Sequence, residues 1–254
     1  MKNAENADSK KRFSNRVDDY TRYRPGYPPE ALQYIYDQSN LNVNATVADI
    51  GAGTGIFTES LLKGGANVIA VEPNEAMRSA ADKLLQSQKK YSSVSGSAEQ
   101  TGLADQSVDL ITAAQAFHWF SFAEAKKEFT RILKPTGKTV LIWNRRDSSE
   151  SAFMQHYDAL LTERLPEYSK VNHANATDEC IGEFLGNGMQ KVAFPSDQSF
   201  DLSGLKGRLM SSSYCPARGT DGHDELMTEV ENLYQKYSTD SGVQFDYSTQ
   251  VYMA

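Results

Sequence analysis

The sequence predicts an α/β fold in which a mostly parallel, doubly wound sheet is covered by helices on both faces. From Thr46 onward, short apolar runs with strand character alternate with segments whose apolar residues recur at helical spacing. A glycine-rich turn separates the first of these runs from the first helical segment. The apolar fraction is 39%, with 11 Phe and 13 Tyr, so the chain of 254 residues can bury a large core.

The strands and helices of this core follow from the pattern in chain order. Strand-like runs occupy residues 47–50, 68–71, 91–95, 108–113 and 139–143, and helical faces lie between them at 57–62, 77–85 and 122–133. Asn74 is placed to cap the second helix, and Ser121 with Glu124 forms a capping box for the third. Residues 134–137 (Lys-Pro-Thr-Gly) are expected to form the turn before the last of these strands.

The segments on either side of this core have a different pattern. Residues 1–40 are expected to form an N-terminal arm of short helices, interrupted at 24–29 because prolines in that stretch cannot continue a helix. Residues 148–188 are expected to form a helical insertion that acts as a lid. Residues 189–254 are expected to complete the sheet with strands at 191–200 and 243–252 and helices at 201–212 and 222–238. The whole chain, 1–254, is interpreted as one domain.

Composition and charge argue against several classes of protein. Thirty-three acidic residues against 26 basic ones give a net charge of −7, opposite to the basic excess typical of nucleic-acid-binding domains. Two cysteines, Cys180 and Cys215, are too few for a disulfide framework, and no Cys or His cluster has zinc-ligand spacing, so we expect no metal site. No apolar run suits a signal peptide or a membrane span, so a cytoplasmic protein without membrane association is expected.

The glycine-rich turn, residues 49–55, has the sequence DIGAGTG. Glycines at a strand-to-helix turn let the backbone approach a ligand that a Cβ would repel, and open α/β sheets bind their ligands at the carboxyl ends of the strands. Glu72 ends the next strand, where a carboxylate can accept hydrogen bonds from both hydroxyls of a ribose. These features predict a ligand of the nucleotide type.

The spacing of the glycines distinguishes this turn from two other nucleotide-binding motifs. A dinucleotide fingerprint requires Gly-x-Gly-x-x-Gly, whereas Ile56 occupies the position of the third glycine here. The Gly-x-x-x-x-Gly-Lys-Ser/Thr sequence of a P-loop is absent. An NAD(P)-dependent oxidoreductase is therefore a disfavoured interpretation.

The turn and the segments after it resemble class I S-adenosylmethionine-dependent methyltransferases, in the small-molecule branch often called methyltransferase type 11. Residues 49–55 resemble motif I, and Glu72 matches the ribose-binding acid. Further similarity lies in the adenine loop, the fourth strand with its end, and the turn before the fifth strand, at residues 96–101, 105–120 and 133–138. The similarity spans residues 46–143, which are interpreted as the cofactor-binding core.

The resemblance implies both the fold and the cofactor. It implies a Rossmann-like, seven-stranded sheet whose last strand is antiparallel, and S-adenosylmethionine as the methyl donor. It assigns cofactor contacts to ten residues: Asp49, Gly51, Ala52, Gly53, Gly55, Glu72, Pro73, Ala98, Glu99 and Gln115. Glu99 stands where many family members have aspartate, so adenine contact through the backbone near Ala98 is favoured over contact through the Glu99 side chain.

Residues around this core are candidates for contact with the methyl acceptor. His118 follows the fourth strand and is a candidate general base, although His-Trp-Phe in this family is often a packing and cofactor-lining element. Trp119 is interpreted as an aromatic wall. Arg145 and Arg146 follow the fifth strand, where they can bind a carboxylate or phosphate or form surface salt bridges. Three arm residues are candidates for covering the cofactor or contacting an anionic acceptor: Tyr20, Tyr23 and Arg24.

The predicted function is transfer of a methyl group from S-adenosylmethionine to a small-molecule acceptor by in-line displacement, achieved mainly through alignment of the reactants. Two alternatives remain open. One is a protein or RNA methyltransferase that recruits its substrate through the basic N-terminal arm, and the other is a non-catalytic module that binds the cofactor. The sequence leaves open the acceptor, the atom that is methylated and the oligomeric state.

Overall fold

The computed structural model describes residues 17–149, 151–171 and 177–254. Its strands are β1 (Thr46–Ile50), β2 (Asn67–Val71), β3 (Tyr91–Val94), β4 (Val108–Ala114), β5 (Leu133–Arg146), β6 (Gln190–Phe200) and β7 (Val243–Met253). They form a seven-stranded sheet in the order β3-β2-β1-β4-β5-β7-β6. Strands β1 to β5 pair in parallel, whereas β7 runs antiparallel to both β5 and β6. The predicted mostly parallel sheet with an antiparallel last strand is confirmed.

Helices connect and cover these strands. In chain order they are α1 (Val17–Tyr23), α2 (Pro29–Ser39), α3 (Ile56–Lys63), α4 (Glu75–Leu85), α5 (Phe122–Ile132), α6 (Ala152–Arg164), α7 (Pro166–Val171), α8 (Asp178–Leu185), α9 (Leu202–Met210) and α10 (His223–Tyr237). A short 3-10 helix spans Phe117–Trp119. Residues 1–16 of the expected arm lie outside the described residues. None of these helices combines the length and apolar composition needed to cross a membrane.

Alternating residues of the central strands pack into two cores, one on each face of the sheet. Along β5, Leu141 and Trp143 belong to a core with Phe117, Phe129 and Phe184. The intervening residues, Val140 and Ile142, belong to a core with Ile35, Phe57, Leu61 and Leu85. Because successive strand residues point to opposite faces, this pattern is that of a sheet buried on both sides.

A third core lies beneath the helices that follow β5. It joins α6 and α7 to α9, α10 and β7, with Phe153, Leu161, Leu205 and Phe245 among its buried members. Helix α8 packs elsewhere, because its Ile181 and Phe184 belong to the core around Trp143. The segment expected to form one insertion, 148–188, is therefore divided between two packing environments.

Two local predictions were wrong. Residues 134–137 are not a turn before the strand but lie within β5, where Leu133 pairs with Val108 and Lys138 with Leu110. Because β5 advances five residues there while β4 advances two, the extra residues form a bulge inside a continuous strand. The capping box is also absent: Ser121 begins α5 without a side-chain cap. The predicted Asn74 cap is confirmed, since its side chain accepts a hydrogen bond from the Met77 N–H at 3.1 Å.

Candidate functional site

The glycine-rich turn connects β1 to α3 at the carboxyl end of the sheet. Gly51 N–H donates to the Val71 carbonyl at 2.8 Å, which ties the turn to the end of β2. A Cβ on Gly51 would lie 2.6 Å from the Cβ of Ala116, so no larger residue fits there. Gly53 has φ +57°, and a Cβ on it would meet no atom within 4 Å. The turn thus presents backbone without a side chain at Gly53 to open space, in a left-handed conformation that glycine adopts without strain.

Glu72 follows β2 and contacts this turn directly. Its Oε2 accepts a hydrogen bond from Gly53 N–H at 2.9 Å, and its Oε1 accepts one from Asn74 N–H at 2.8 Å. The Glu72 carbonyl accepts a third hydrogen bond, from Arg78 Nη1 at 2.8 Å. The carboxylate is therefore held at the mouth of the turn by groups on both sides of it.

Asp49, near the end of β1, is buried beneath the turn. Its carboxylate accepts hydrogen bonds from the hydroxyls of Thr58, at 2.6 Å, and Thr112, at 2.9 Å. Burial raises the pKa of Asp49 to about 6, against the effect of the two threonine hydrogen bonds and with a smaller contribution from the charge of Glu72. Asp49 thus links β1 to α3 and β4. With a pKa of about 6, its carboxyl group changes protonation state close to neutral pH.

The loop predicted to contact adenine, residues 96–101, is held in place by hydrogen bonds to Glu128 of α5. Glu128 accepts hydrogen bonds from the N–H and the hydroxyl of Thr101, at 2.8 Å and 2.6 Å. Hydrogen bonds from Arg131 and Thr101 lower the pKa of Glu128 to about 2 against the effect of burial, so it stays ionised. Glu99, on the same loop, accepts a hydrogen bond from Ser121 N–H at 2.8 Å.

Gln115 lies where β4 ends, in the left-handed conformation with φ +56°. Its Nε2 donates to the Asn144 carbonyl on β5 at 3.3 Å. Asn144 in turn donates from Nδ2 to the Gly26 carbonyl at 2.8 Å and accepts from the Thr249 hydroxyl at 2.6 Å. One side-chain network therefore connects the ends of β4 and β5 to the N-terminal arm.

His118 and Trp119 follow Gln115 on the 3-10 helix. Phe117 anchors this helix, because its fully buried ring packs edge-on against Trp143 and Phe184. His118 and Trp119 line the cavity described below instead, and the centroids of their rings are 4.8 Å apart. The geometry therefore combines an aromatic wall and an imidazole at one position.

These elements surround a cavity of about 720 Å³ at the carboxyl ends of β1, β2, β4 and β5. Its size is that of a cofactor or small-molecule site. Fifteen of the seventeen predicted site residues line it: Tyr20, Arg24, Asp49, Gly51, Ala52, Gly53, Glu72, Pro73, Ala98, Glu99, Gln115, His118, Trp119, Arg145 and Arg146. The structure therefore brings together residues that are up to 126 positions apart in the chain, from Tyr20 to Arg146.

Two predicted site residues lie outside the cavity lining. Gly55 begins α3 with φ +85°, and a Cβ there would crowd Leu85 and Ala81 at 3.1 and 3.2 Å, so it supports the packing of α3 on α4. Tyr23 packs its ring against Gly207 of α9, and its carbonyl accepts a hydrogen bond from Gln198 at 3.4 Å. Both positions support the residues that do line the cavity.

The cavity also contains residues that sequence reasoning missed. Six of them come from the arm, from β5 and from the segments after it: Tyr27, Asn144, Asp158, Tyr168, Arg208 and Tyr214. The resemblance spans residues 46–143 and all six lie outside it, so no motif indicated them. One signal was present: Arg208 interrupts the apolar face of α9 between Leu205 and Leu209, and it is only 7% exposed.

A glycine turn after β1, an acid after β2 and an antiparallel seventh strand define a class I S-adenosylmethionine-dependent methyltransferase. The chain belongs to the methyltransferase-domain family, whose model matches residues 48–141. An uncharacterized methyltransferase of Schizosaccharomyces pombe is 39% identical over 253 residues, which cover 94% of this chain and 95% of that protein.

Solved structures show the same fold at lower identity. A protein of Anaeromyxobacter dehalogenans assigned to the type II methyltransferases aligns with a TM-score of 0.68 at 20% identity, over 91% of this chain and 96% of that one. The phosphoethanolamine N-methyltransferase 2 of Haemonchus contortus, solved with phosphomonomethylethanolamine and S-adenosylhomocysteine, aligns with a TM-score of 0.56 at 14% identity. That alignment covers 95% of this chain and 57% of the nematode enzyme.

The residues at the turn suit the cofactor of this family, S-adenosylmethionine. The backbone at Gly53 faces open cavity where a side chain would project, and the Glu72 carboxylate lies within hydrogen-bonding distance of it. Polar groups therefore converge where a nucleoside is expected, beside the apolar surface of Met77 and Phe120. The Glu72 carboxylate is an acceptor of the kind that ribose hydroxyls require.

Proposed function

We propose that this protein transfers the methyl group of S-adenosylmethionine to a small-molecule acceptor bound in the same cavity. One observation carries the proposal: the cavity that begins at Gly51 and Glu72 continues without interruption to Tyr168, Arg208 and Tyr214. Cofactor and acceptor therefore share one continuous cavity, as direct transfer between them requires. The volume of about 720 Å³ suits small ligands better than a protein or RNA surface.

The cofactor-binding residues in this proposal lie at the ends of β1, β2 and β4. Backbone groups of residues 51–53 contact the ligand closely, and Glu72 accepts hydrogen bonds from the ribose hydroxyls. Ala98 and Glu99 contact the adenine, with the Glu99 side chain already engaged by Ser121 N–H. Gln115 lies beside the methionine portion. Pro73 continues the wall next to Glu72.

Arg24 is assigned to the carboxylate of the methionine portion. Arg24 lines the same cavity as Asp49 and the glycine-rich turn. Arg24 Nη2 donates to the Ser211 carbonyl at 2.9 Å, and the guanidinium lies over the Tyr20 ring at 4.8 Å from its centroid. Arg24 Nε is buried without a hydrogen-bond partner, so the side chain keeps a donor for a ligand.

The chemistry requires alignment more than it requires an acid or base. Bound S-adenosylmethionine supplies a sulfonium methyl group; transfer breaks the S–CH₃ bond, forms a bond from that carbon to the acceptor and leaves the electron pair on sulfur. The chain holds the acceptor in line, an effect that supplies about 7–11 kcal/mol in well-oriented systems. Where the acceptor loses a proton, His118 lies on the cavity wall as the group to take it.

The N-terminal arm and the helices that follow β5 also form part of the cavity wall. Tyr168 of α7, Arg208 of α9 and Tyr20 of α1 line the cavity. Exclusion of water by these elements strengthens the electrostatic interactions inside. We therefore assign the role of a lid to α7, which lies within the segment 148–188 that the sequence indicated, and to α1 of the arm.

Calorimetric titration and label transfer test the proposal together. Micromolar binding of S-adenosylmethionine and S-adenosylhomocysteine, without binding of NADH, is expected. The protein is then incubated with methyl-labelled cofactor and a cell extract separated by ultrafiltration into metabolites and macromolecules. Label that enters the metabolite fraction supports a small-molecule acceptor, whereas label confined to protein or RNA contradicts it. Cofactor binding with transfer to neither fraction supports the alternative of a non-catalytic binding module.

A further inference from the structure

Three arginines from different parts of the chain lie close together at one end of the cavity. Arg24 follows α1, Arg146 ends β5, and Arg208 lies in the middle of α9. All three line the cavity, and Arg208 is almost completely buried. Burial and the charge of Arg208 lower the pKa of Arg24, which shows that these like charges act on one another.

Neutral groups, not acids, are the partners of these guanidiniums. Arg146 Nη2 donates to the Tyr168 hydroxyl at 2.6 Å, and Arg208 Nε donates to the Tyr247 hydroxyl at 3.3 Å. Across residues 17–149, 151–171 and 177–254, no salt bridge joins Arg24, Arg146 or Arg208 to a carboxylate. Buried charges are ordinarily paired, so this end of the cavity has a positive charge that the described part of the chain leaves unbalanced.

Asp158 is the acid that lines this end of the cavity, and it is separated from the arginines by a tyrosine. It accepts a hydrogen bond from the Tyr168 hydroxyl, which itself accepts from Arg146. Its single charge therefore supports Tyr168 and reaches Arg146 through that hydroxyl. One carboxylate at this distance leaves most of the charge of three guanidiniums uncompensated.

The pKa of Tyr214 is affected by the positive charges of Arg24, Arg146 and Arg208. Burial by itself raises the pKa of a phenol, yet the charges of Arg146 and Arg208, a hydrogen bond with Ser212 and the charge of Arg24 hold the pKa of Tyr214 below its usual value. Its ring packs against Tyr168 with centroids 5.1 Å apart. The guanidinium of Arg146 also lies 5.4 Å from the centroid of the Tyr168 ring, which restricts its orientation.

We propose that Arg146 and Arg208, with the hydroxyl of Tyr214, bind an oxyanion of the methyl acceptor, so that the acceptors are small molecules with a carboxylate or a phosphate group. This inference rests on the proposed methyl-transfer function. Arg24 is already assigned to the single carboxylate of the cofactor, and two guanidiniums remain. Paired guanidiniums favour planar or tetrahedral oxyanions, because their N–H groups form forked hydrogen bonds with two oxygens.

The first experiment uses wild-type protein saturated with S-adenosylhomocysteine. Succinate, citrate and inorganic phosphate are titrated at constant ionic strength, with succinamide as a neutral molecule of matched shape. At least one anion is expected to bind and to raise the melting temperature, and succinamide is not. Preference for the carboxylates or for phosphate identifies which oxyanion the site takes. Absence of binding by all three anions overturns the proposal.

Variants then assign the binding to the two arginines. Arg146→Gln and Arg208→Gln are each expected to weaken binding of the anion roughly ten- to hundredfold, because a charged hydrogen bond is lost. Their affinity for S-adenosylhomocysteine is expected to stay within about threefold of wild type, which also shows that the variants fold. Arg218→Gln removes the same charge from an exposed position outside the cavity and serves as the matched control.

The outcomes separate this inference from the function on which it rests. Protein that does not bind S-adenosylhomocysteine contradicts the methyl-transfer function itself. Protein that binds it, but binds the anions equally in wild type and in Arg146→Gln, contradicts only the oxyanion site. If Arg208→Gln does not fold, Arg146→Gln and the milder Arg146→Lys decide, since lysine keeps the charge and removes the forked donor.

Discussion

The backbone N–H of Gly53 donates a 2.9 Å hydrogen bond to Oε2 of Glu72, joining the turn after β1 to the end of β2. The second oxygen of Glu72 accepts from Asn74 N–H at 2.8 Å, so both oxygens are oriented by backbone donors. This carboxylate therefore has a fixed position before a ligand binds. Preorganisation of this kind removes part of the ordering cost of binding.

Replacement of Glu72 by alanine is expected to weaken affinity for S-adenosylhomocysteine by about 1–3 kcal/mol, because ribose hydroxyls lose their acceptor and Gly53 N–H loses its orientation. Calorimetric titration measures the change. Glu163→Ala, at an exposed position of α6, is the control and is expected to bind as wild type does. Equal affinity in Glu72→Ala and wild type moves the ribose contact to another residue.

Substitution of Gly53 tests whether the backbone of the turn lies in close contact with the ligand. Gly53→Val places a branched side chain in open cavity and is expected to abolish cofactor binding, with a cost of about 1–2 kcal/mol from the positive φ. Gly219→Val is the matched control, since Gly219 has φ +77° and open space around it but lies outside the cavity. If both variants bind S-adenosylhomocysteine equally well, the turn does not contact the cofactor.

Replacement of His118 is expected to lower the turnover number more than the affinity for the cofactor. If its imidazole takes a proton from the acceptor, His118→Ala lowers kcat by roughly 10²–10⁴-fold and leaves the affinity for S-adenosylhomocysteine nearly unchanged. Turnover with the acceptor found by label transfer, measured between pH 5 and 9, checks this result. Equal losses in turnover and cofactor affinity assign His118 a packing role beside Trp119.

Asp49 gives the protein a pH dependence of stability with a defined sign. Its pKa is raised by burial to about 6, so the native state binds this proton more tightly than the unfolded chain does. The contribution of Asp49 to stability is present below the unfolded pKa near 4 and is lost as pH rises through about 6. Between pH 4 and pH 8 the loss amounts to about 2 kcal/mol.

Urea unfolding of Asp49→Asn measures this contribution. Asparagine does not titrate, so the stability of the variant relative to wild type is expected to increase by about 2 kcal/mol from pH 4 to pH 8. Asp240→Asn, at an exposed turn, is the control for loss of a carboxylate. A stability difference that is independent of pH shows that Asp49 does not carry a raised pKa.

The local pattern of apolar residues was sufficient to predict the strands of the sheet, but it did not predict the bulge in β5. Alternation of apolar strands and helices predicts β1 to β5, and strands near 191–200 and 243–252 agree with β6 and β7 to within one residue at each end. The bulge at 134–137 was missed because Lys-Pro-Thr-Gly has the composition of a turn. Pairing of Leu133 with Val108 decides the outcome there, and pairing is a long-range property.

The two ends of the cavity differed in how far sequence could predict them. The turn and Glu72 lie at the ends of two successive strands, so the local pattern indicated a ligand of the nucleotide type and the family resemblance indicated which one. Arg208 and Tyr214 come from segments without a motif, and they reach the cavity because α9 packs against α1 and α10. No local sequence pattern indicates that Arg208 and Arg146 line the same cavity. Tertiary packing creates that relationship.

The position of β7 between β5 and β6 makes the order of the strands in space differ from the order in which a ribosome makes them. β6 forms its eleven-residue pairing with β7 and has no partner in the sheet until residues 243–253 have been synthesised. Until then β5 exposes one edge, and exposed strand edges pair with other chains. The nascent protein therefore passes through a stage at which six strands exist but only five are joined, and aggregation competes with folding at that stage.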